Sequence, residues 1–243
     1  MSQARLLLTA VQFLTRCPVP AWVGHSPDQL NRAVRYFPLV GLGVGALGAG
    51  VFWVASAGLP PLAAAVLSIM ATVLVTGAFH EDGLADTCDG LFGAFNRDDA
   101  LRYMKDSRLG TFGVAGLCLV LAGKAALLQE PYAIIAAHAA SRFMAVTLIA
   151  ALPYVRESEQ GAKAKPVAAG VGAVEIGIAG LCGLAPLLLL NRPVAALLGA
   201  ALVTVGLARW FQRRLGGYTG DTLGATQQVT ELAILGVSAW HAA

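Results

Sequence analysis

Apolar residues run in blocks of close to twenty along most of the chain, at roughly 37–57, 62–79, 111–128, 132–152, 171–190 and 194–211, with a weaker block at 228–243. A helix needs about 20 apolar residues to cross a hydrocarbon core of about 30 Å. Inside that core, backbone N–H and C=O groups must be satisfied without water, which a helix does by itself. Pro38, Pro60, Pro61, Pro131, Pro153 and Pro193 punctuate the blocks, at positions where helices start or stop. The pattern predicts an all-α protein: a polytopic transmembrane helical bundle of six to seven spans, forming one integral membrane domain over residues 1–243.

Residues 1–36 follow a different pattern. Leu6, Leu7, Leu8, Val11, Phe13, Leu14 and Trp22 predict an interfacial helix followed by a proline-rich turn. In the first block Gly41, Gly43, Gly45, Gly48 and Gly50 supply a small-residue face for close helix packing. No strand precedes them, so they do not read as a nucleotide loop. No internal repeat and no cleavable signal peptide are evident, and insertion is expected to use the first true span.

Composition sharpens the membrane reading. Hydrophobic residues make up 57% of the chain and charged residues 13%, against about 25% charged in soluble domains. The net charge of +3 does not call for nucleic acid, because membrane proteins carry Lys and Arg in their cytoplasmic loops. Arg5, Arg16, Arg32 and Arg35 precede the first span. Arg97, Arg102, Lys105 and Arg108 separate the second from the third. Arg156, Lys163 and Lys165 separate the fourth from the fifth, and Arg209, Arg213 and Arg214 border the sixth. The intervening connections hold only Arg192. The N-terminus and the long loops are therefore predicted to face the cytoplasm. Lys124 and Arg142 fall inside spans. Lys124 is expected to snorkel to the outer surface, as Glu175 does to the inner one, whereas Arg142 must face the bundle interior. Cys17, Cys88, Cys118 and Cys182 are scattered and form neither a disulfide framework nor a zinc pattern.

Candidate chemistry is concentrated in one region. Of the 14 acidic residues, Glu81, Asp82, Asp86, Asp89, Asp98, Asp99 and Asp106 fall between positions 81 and 106. Asp82, Asp86 and Asp89 are spaced i, i+4, i+7 and share a helical face that is expected to continue directly from the second span. Like charges so placed repel, and a cation converts that repulsion into ligation. Oxygen donors without a His or Cys cluster suit Mg²⁺ or Mn²⁺, with Glu81 as an outer ligand or a solvated acid. His80 orients a carboxylate, contacts phosphate, moves a proton, or simply ends a helix at the lipid interface. Asp106, Ser107 and Arg108 precede Gly110 and Thr111; Arg108 suits bidentate contact with phosphate. Arg142 is expected to face the acids or a substrate phosphate. Gly216, Gly217, Tyr218, Thr219, Gly220 and Asp221 read as a flexible glycine-rich loop whose backbone N–H groups bind phosphate, with Asp221 completing a metal site or holding a ribose hydroxyl. No catalytic triad, dinucleotide fingerprint or P-loop is present.

Three strings, residues 80–90, 106–111 and 216–225, together with Phe13 to Pro20 and Phe37 to Gly41, resemble the cobalamin synthase family of adenosylcobinamide-GDP ribazoletransferases, over nearly the whole chain. The resemblance implies a multi-pass enzyme of the cytoplasmic (inner) membrane, dependent on Mg²⁺, with its active site facing the cytoplasm. It implies the joining of adenosylcobinamide-GDP to α-ribazole or its 5′-phosphate, with release of GMP and formation of adenosylcobalamin or its 5′-phosphate. Asp82, Asp86, Asp89, Asp221 and Arg108 are then the expected catalytic residues. His80, Asp106, Ser107, Arg142, Gly217, Thr219 and Gly220 are expected at the substrates. The expected partners are the two substrates and the lipid bilayer, and a homo-oligomer is compatible with the reading. The alternatives are a phospholipid synthase similar to the CDP-alcohol phosphotransferases, whose motif spacing Asp86 does not match, and a non-catalytic transporter. Transporter sites lie near the bilayer midplane, away from the predicted position of the acids.

Overall fold

The computed structural model describes residues 1–155 and 171–240; the predicted cytoplasmic charges Arg156, Lys163 and Lys165 lie outside them. Among the described residues the elements are α1 (Gln3–Leu14), α2 (Pro27–Ala33), α3 (Phe37–Ser56), α4 (Pro61–Thr76), α5 (Phe79–Gly93), α6 (Arg97–Tyr103), α7 (Thr111–Leu127), α8 (Pro131–Ala151), α9 (Ala173–Leu184), α10 (Pro193–Leu215) and α11 (Gly220–Ala239). No strand is present among them, and the all-α expectation is met. A proline stands in the first turn of α2, α3, α4, α8 and α10, where its missing N–H would have no intrahelical partner anyway.

Over the described residues each predicted apolar block is mainly helical, but the helices differ in reach. Three are long and apolar enough to cross a membrane: the continuous run Pro27–Ser56, Pro131–Ala151 and Pro193–Leu215. α4 and α5 make a fourth only if counted as one span, and they are bent by 92°. α7 and the run Ala173–Leu189 are apolar but shorter. The bend corrects the expectation that the acidic face continues straight out of the second span. Gly77 closes α4 at φ 66° and Ala78 follows at φ 57°. Two consecutive left-handed residues end the helical path, and at Ala78 this costs about 1–2 kcal/mol. α5 therefore leaves on a new axis.

The centre of the bundle is α8, which packs on α3 and α11. The glycine face of α3 sets that distance. A Cβ at Gly45 would stand 2.8 Å from Ile135 Cα, and one at Gly41 would collide with the His138 carbonyl. Gly43 and Gly50 face open space. Gly45→Ala is accordingly expected to lower stability by about 1–3 kcal/mol through overpacking, whereas Gly43→Ala is expected to be neutral or slightly stabilising, since Ala is the better helix former. Thermal unfolding of the two variants in the same detergent checks the contrast.

α1 buries Leu6, Ala10 and Leu14 against α2 and α3, and Phe13 stacks on Phe37 with centroids 5.5 Å apart. The predicted N-terminal helix is thus part of the bundle. Arg35 pairs with Glu175, so Glu175 is held by a partner instead of reaching along the surface.

Candidate functional site

α5 is apolar on one side and acidic on the other, and its glycines decide how closely its neighbours approach. A Cβ at Gly83 would stand 2.8 Å from the Asp221 carbonyl oxygen and 3.2 Å from Gly224 Cα. The backbones of α5 and α11 therefore touch at Gly83 and Gly224, and two motifs 138 positions apart (Gly83 and Asp221) meet at one crossing. Asp82 (exposed) and Asp86 (half-buried) lie on α5 at this crossing, with half-buried Asp221 in the first turn of α11.

Asp89 has a different task. Its carboxylate accepts the Gly110 N–H at 2.7 Å and the Gly113 N–H at 2.8 Å, binding the start of α7 to α5. This is a carboxylate at a helix N-terminus, where charge and orphan donors favour it. The spacing that put Asp89 in an arc with Asp82 and Asp86 is real, but α7 claims its oxygens. Among the described residues no three His, Cys, Asp or Glu side chains converge as a ready-made metal-ligand set.

The 106–111 segment follows α6. Arg108 donates to Asp106 from Nε at 3.0 Å and from the terminal nitrogen at 2.6 Å, and its backbone N–H adds a third bond at 3.0 Å. These bonds hold the Asp106 carboxyl down at about 2. Both Arg108 and Ser107 are exposed, so the guanidinium is displayed on a surface loop with its fork already directed by a carboxylate.

The glycine-rich segment is not a flexible loop. Gly216 ends α10 at φ 82°, and Gly217 lies so close to the Pro153 carbonyl that no Cβ fits. Tyr218 N–H donates to Pro153 O at 2.9 Å and Val155 N–H to Tyr218 O at 3.0 Å, a single parallel bridge that clamps the segment. Thr219 caps α11, accepting from the Thr222 N–H at 3.2 Å while its own N–H donates to the Thr222 hydroxyl at 2.9 Å. The N–H groups of Tyr218 and Thr219 are thus used inside the protein, and Gly217 and Thr219 shape the start of α11. Gly220 lines a small cavity with His80 and Arg142.

Arg142 does face the interior. It is 2% exposed and donates to the His138 carbonyl at 2.9 Å, while its Nε has no partner. Around it lies a buried polar network that joins Lys124 and Glu81 to residues the sequence reading passed over. Lys124 pairs with Glu231 at 2.7 Å, both side chains 4% exposed, and donates to Gln228 Oε1 at 2.6 Å. Gln228 donates to Glu81 Oε1 at 2.8 Å. Gln227 donates to Ser141 at 3.1 Å and bonds to Glu231. Lys124 does not snorkel; it points inward because α11 presents a carboxylate to it. The missed signal is Gln227 and Gln228 one turn before Glu231 in the last helix, in a chain with Lys124, His138 and Arg142 in apolar helices.

Three oxygen donors around a backbone-to-backbone crossing, a buried arginine with an unused donor, and a displayed Asp106–Arg108 pair suit binding of a phosphate-linked substrate. A family model described as cobalamin-5-phosphate synthase matches residues 6–239. The adenosylcobinamide-GDP ribazoletransferase of Leptothrix cholodnii is 48% identical, covering 95% of this chain and 93% of its own. The protein of the same name from Ralstonia nicotianae is also 48% identical, over 96% and 94%, and that of Shewanella frigidimarina is 45% identical, over 96% and 93%. No solved structure matches.

Proposed function

The chain belongs to the cobalamin-5-phosphate synthase family, and from that membership we propose the reaction and the roles of its residues. It is an adenosylcobinamide-GDP ribazoletransferase. A ribose hydroxyl of α-ribazole, or of its 5′-phosphate, attacks the phosphorus next to cobinamide. A new P–O bond forms, the bond to the bridging diphosphate oxygen breaks, and GMP leaves with that oxygen; the hydroxyl proton passes to a base. The products are adenosylcobalamin, or its 5′-phosphate, and GMP.

The observation that carries the assignment of roles is the α5–α11 crossing, which brings the backbone of Asp221 against Gly83, on the α5 segment that bears Asp82 and Asp86. These are hard oxygen donors, and Mg²⁺ is commonly held by one or two carboxylates together with substrate phosphates. One or two such donors fit that ion, and Asp82 and Asp86 would hold it together with the substrate diphosphate. When bound, the ion neutralises charge on the diphosphate. Asp89 is committed to the start of α7, which leaves Asp221 as the base for the ribose hydroxyl. Arg108, on its exposed loop, and Arg142, in the interior, stabilise charge on the transferring phosphoryl oxygens.

Several short helices complete the membrane reading. At 17 residues α7 and the run Ala173–Leu189 are at the lower limit for a crossing, about 17 residues. α11 is 20 residues long, and the polar residues that lower its hydropathy are buried against α5, α7 and α8. Six to seven crossings follow, with the arginine-rich connections and the crossing of α5 and α11 on the cytoplasmic side of the inner membrane.

The test is release of GMP from adenosylcobinamide-GDP by the purified protein in lipid, with α-ribazole or its 5′-phosphate and with or without Mg²⁺. Acceptor-dependent, Mg²⁺-dependent GMP release is expected. Turnover of a cytidine-diphosphate lipid without corrinoid turnover would overturn the reading.

A further inference from the structure

A cavity of about 500 Å³ lies under the N-terminal segment, between α1, the start of α2 and the α4–α5 bend. Phe13, Phe79 and Leu30 supply apolar wall, and Arg16, His25 and Gln12 supply polar groups. The size is that of a small-molecule site. The corrinoid substrate, with its nucleoside diphosphate, is far too large for it. Phe13, which also stacks on Phe37, meets Phe79 edge to face at 5.4 Å, an aromatic wall suited to a flat heteroaromatic base.

Arg16 has a built seat at this cavity. Its backbone N–H donates to the Val75 carbonyl at 2.7 Å, an acceptor freed where α4 ends. Its side chain lies against the bare Cα of Gly77, where a Cβ would collide with Arg16 Nε. Among the described residues no carboxylate pairs with Arg16. Arg16 is exposed, and a guanidinium without a carboxylate partner is suited to bidentate contact with phosphate.

The cavity also shares a wall with the acidic helix, through Phe79. Phe79 precedes Asp82 by three positions and Asp86 by seven, so it stands on the same side of α5, one and two turns before them. Phe13 and Phe79 also wall the small cavity that contains Arg142, His80 and Gly220. There the Nε of Arg142 is buried and unused. The two phenylalanines are thus shared by a cavity lined by Arg16 and one lined by Arg142, with the acidic residues next along the helix.

We infer that this cavity is the seat of the acceptor nucleoside, with its base against Phe13 and Phe79 and its 5′-phosphate on Arg16. The inference rests on the ribazoletransferase reading and extends it to residues outside the acidic motifs.

Arg16→Ala, in the full-length protein in lipid nanodiscs, is expected to raise KM for α-ribazole 5′-phosphate by about 30-fold, the loss of a charge-assisted phosphate contact. The preference for the phosphorylated over the unphosphorylated acceptor should fall by the same factor, and KM for adenosylcobinamide-GDP should stay within twofold. Arg16→Lys, which keeps the charge and loses the fork, should lie between. Calorimetric titration of α-ribazole 5′-phosphate alone into each protein reads the site without turnover. A rise in the donor's KM, an unchanged acceptor preference, or equal binding by wild type and both variants overturns the inference. A wild type that binds the acceptor and releases no GMP overturns the activity and leaves the binding site standing.

Discussion

Asp86→Asn is expected to slow GMP release by on the order of 10³-fold, the scale seen when one preorganised charged or hydrogen-bonding group is removed from a transition state. Asp86 is half-buried, next to the place where α5 and α11 touch, so water does not readily replace its charge. Asp82→Asn, at an exposed position, should cost less, about 10²-fold, and should raise the Mg²⁺ concentration needed for half-maximal rate. Asp89→Asn should behave differently. An asparagine keeps one acceptor and turns its amide toward an N–H that needs another, so the start of α7 loosens, at about 1–3 kcal/mol for the unsatisfied group. The expected signature is a lower melting temperature with an unchanged Mg²⁺ requirement. GMP-release rates measured across a Mg²⁺ series, alongside thermal unfolding, separate the three. Equal Mg²⁺ dependence in wild type, Asp82→Asn and Asp86→Asn would remove the carboxylates from any metal role.

The comparison of these three aspartates shows what a sequence pattern conveys and where it stops. Spacing i, i+4, i+7 places side chains on one face of their own helix, and all three do share it. It carries no information about which neighbour occupies each part of that face. Asp89 meets α7 because Gly110 and Gly113 have no side chain to hold it off, and Asp221 arrives from the far end of the chain through Gly83 and Gly224. The apolar blocks were legible for the same reason: hydropathy is a property of a segment. The 92° bend at Gly77 and Ala78 was not, because an alanine in the left-handed region gives no signal in composition. Gly217 stood out as a glycine, yet its flexibility did not follow. A glycine is as often required for close approach as for motion, and the Pro153 carbonyl is the close partner here.

Lys124 offers the last and largest stability effect, and a direct test of the polar core. Snorkelling is the usual outcome for a lysine near the end of a span, but a carboxylate within the bundle offers a better one. Removing either partner strands the other charge. Lys124→Met and Glu231→Leu should each destabilise the fold by about 3–5 kcal/mol. Glu231 is expected to be the worse loss, because His138 at 3.3 Å and Gln227 also bond to it. The double variant removes both charges and leaves an apolar pair, so most of the loss should be recovered, as buried pairs are often replaceable by hydrocarbon at little cost. Thermal unfolding of the four proteins in one detergent gives the cycle. Two singles as stable as wild type would mean that water reaches the pair. Because Gln228 joins Lys124 to Glu81 at the head of α5, the cycle also has a catalytic readout. If the network sets the angle at which α5 presents Asp82 and Asp86, the double variant will regain its melting temperature without regaining its rate of GMP release.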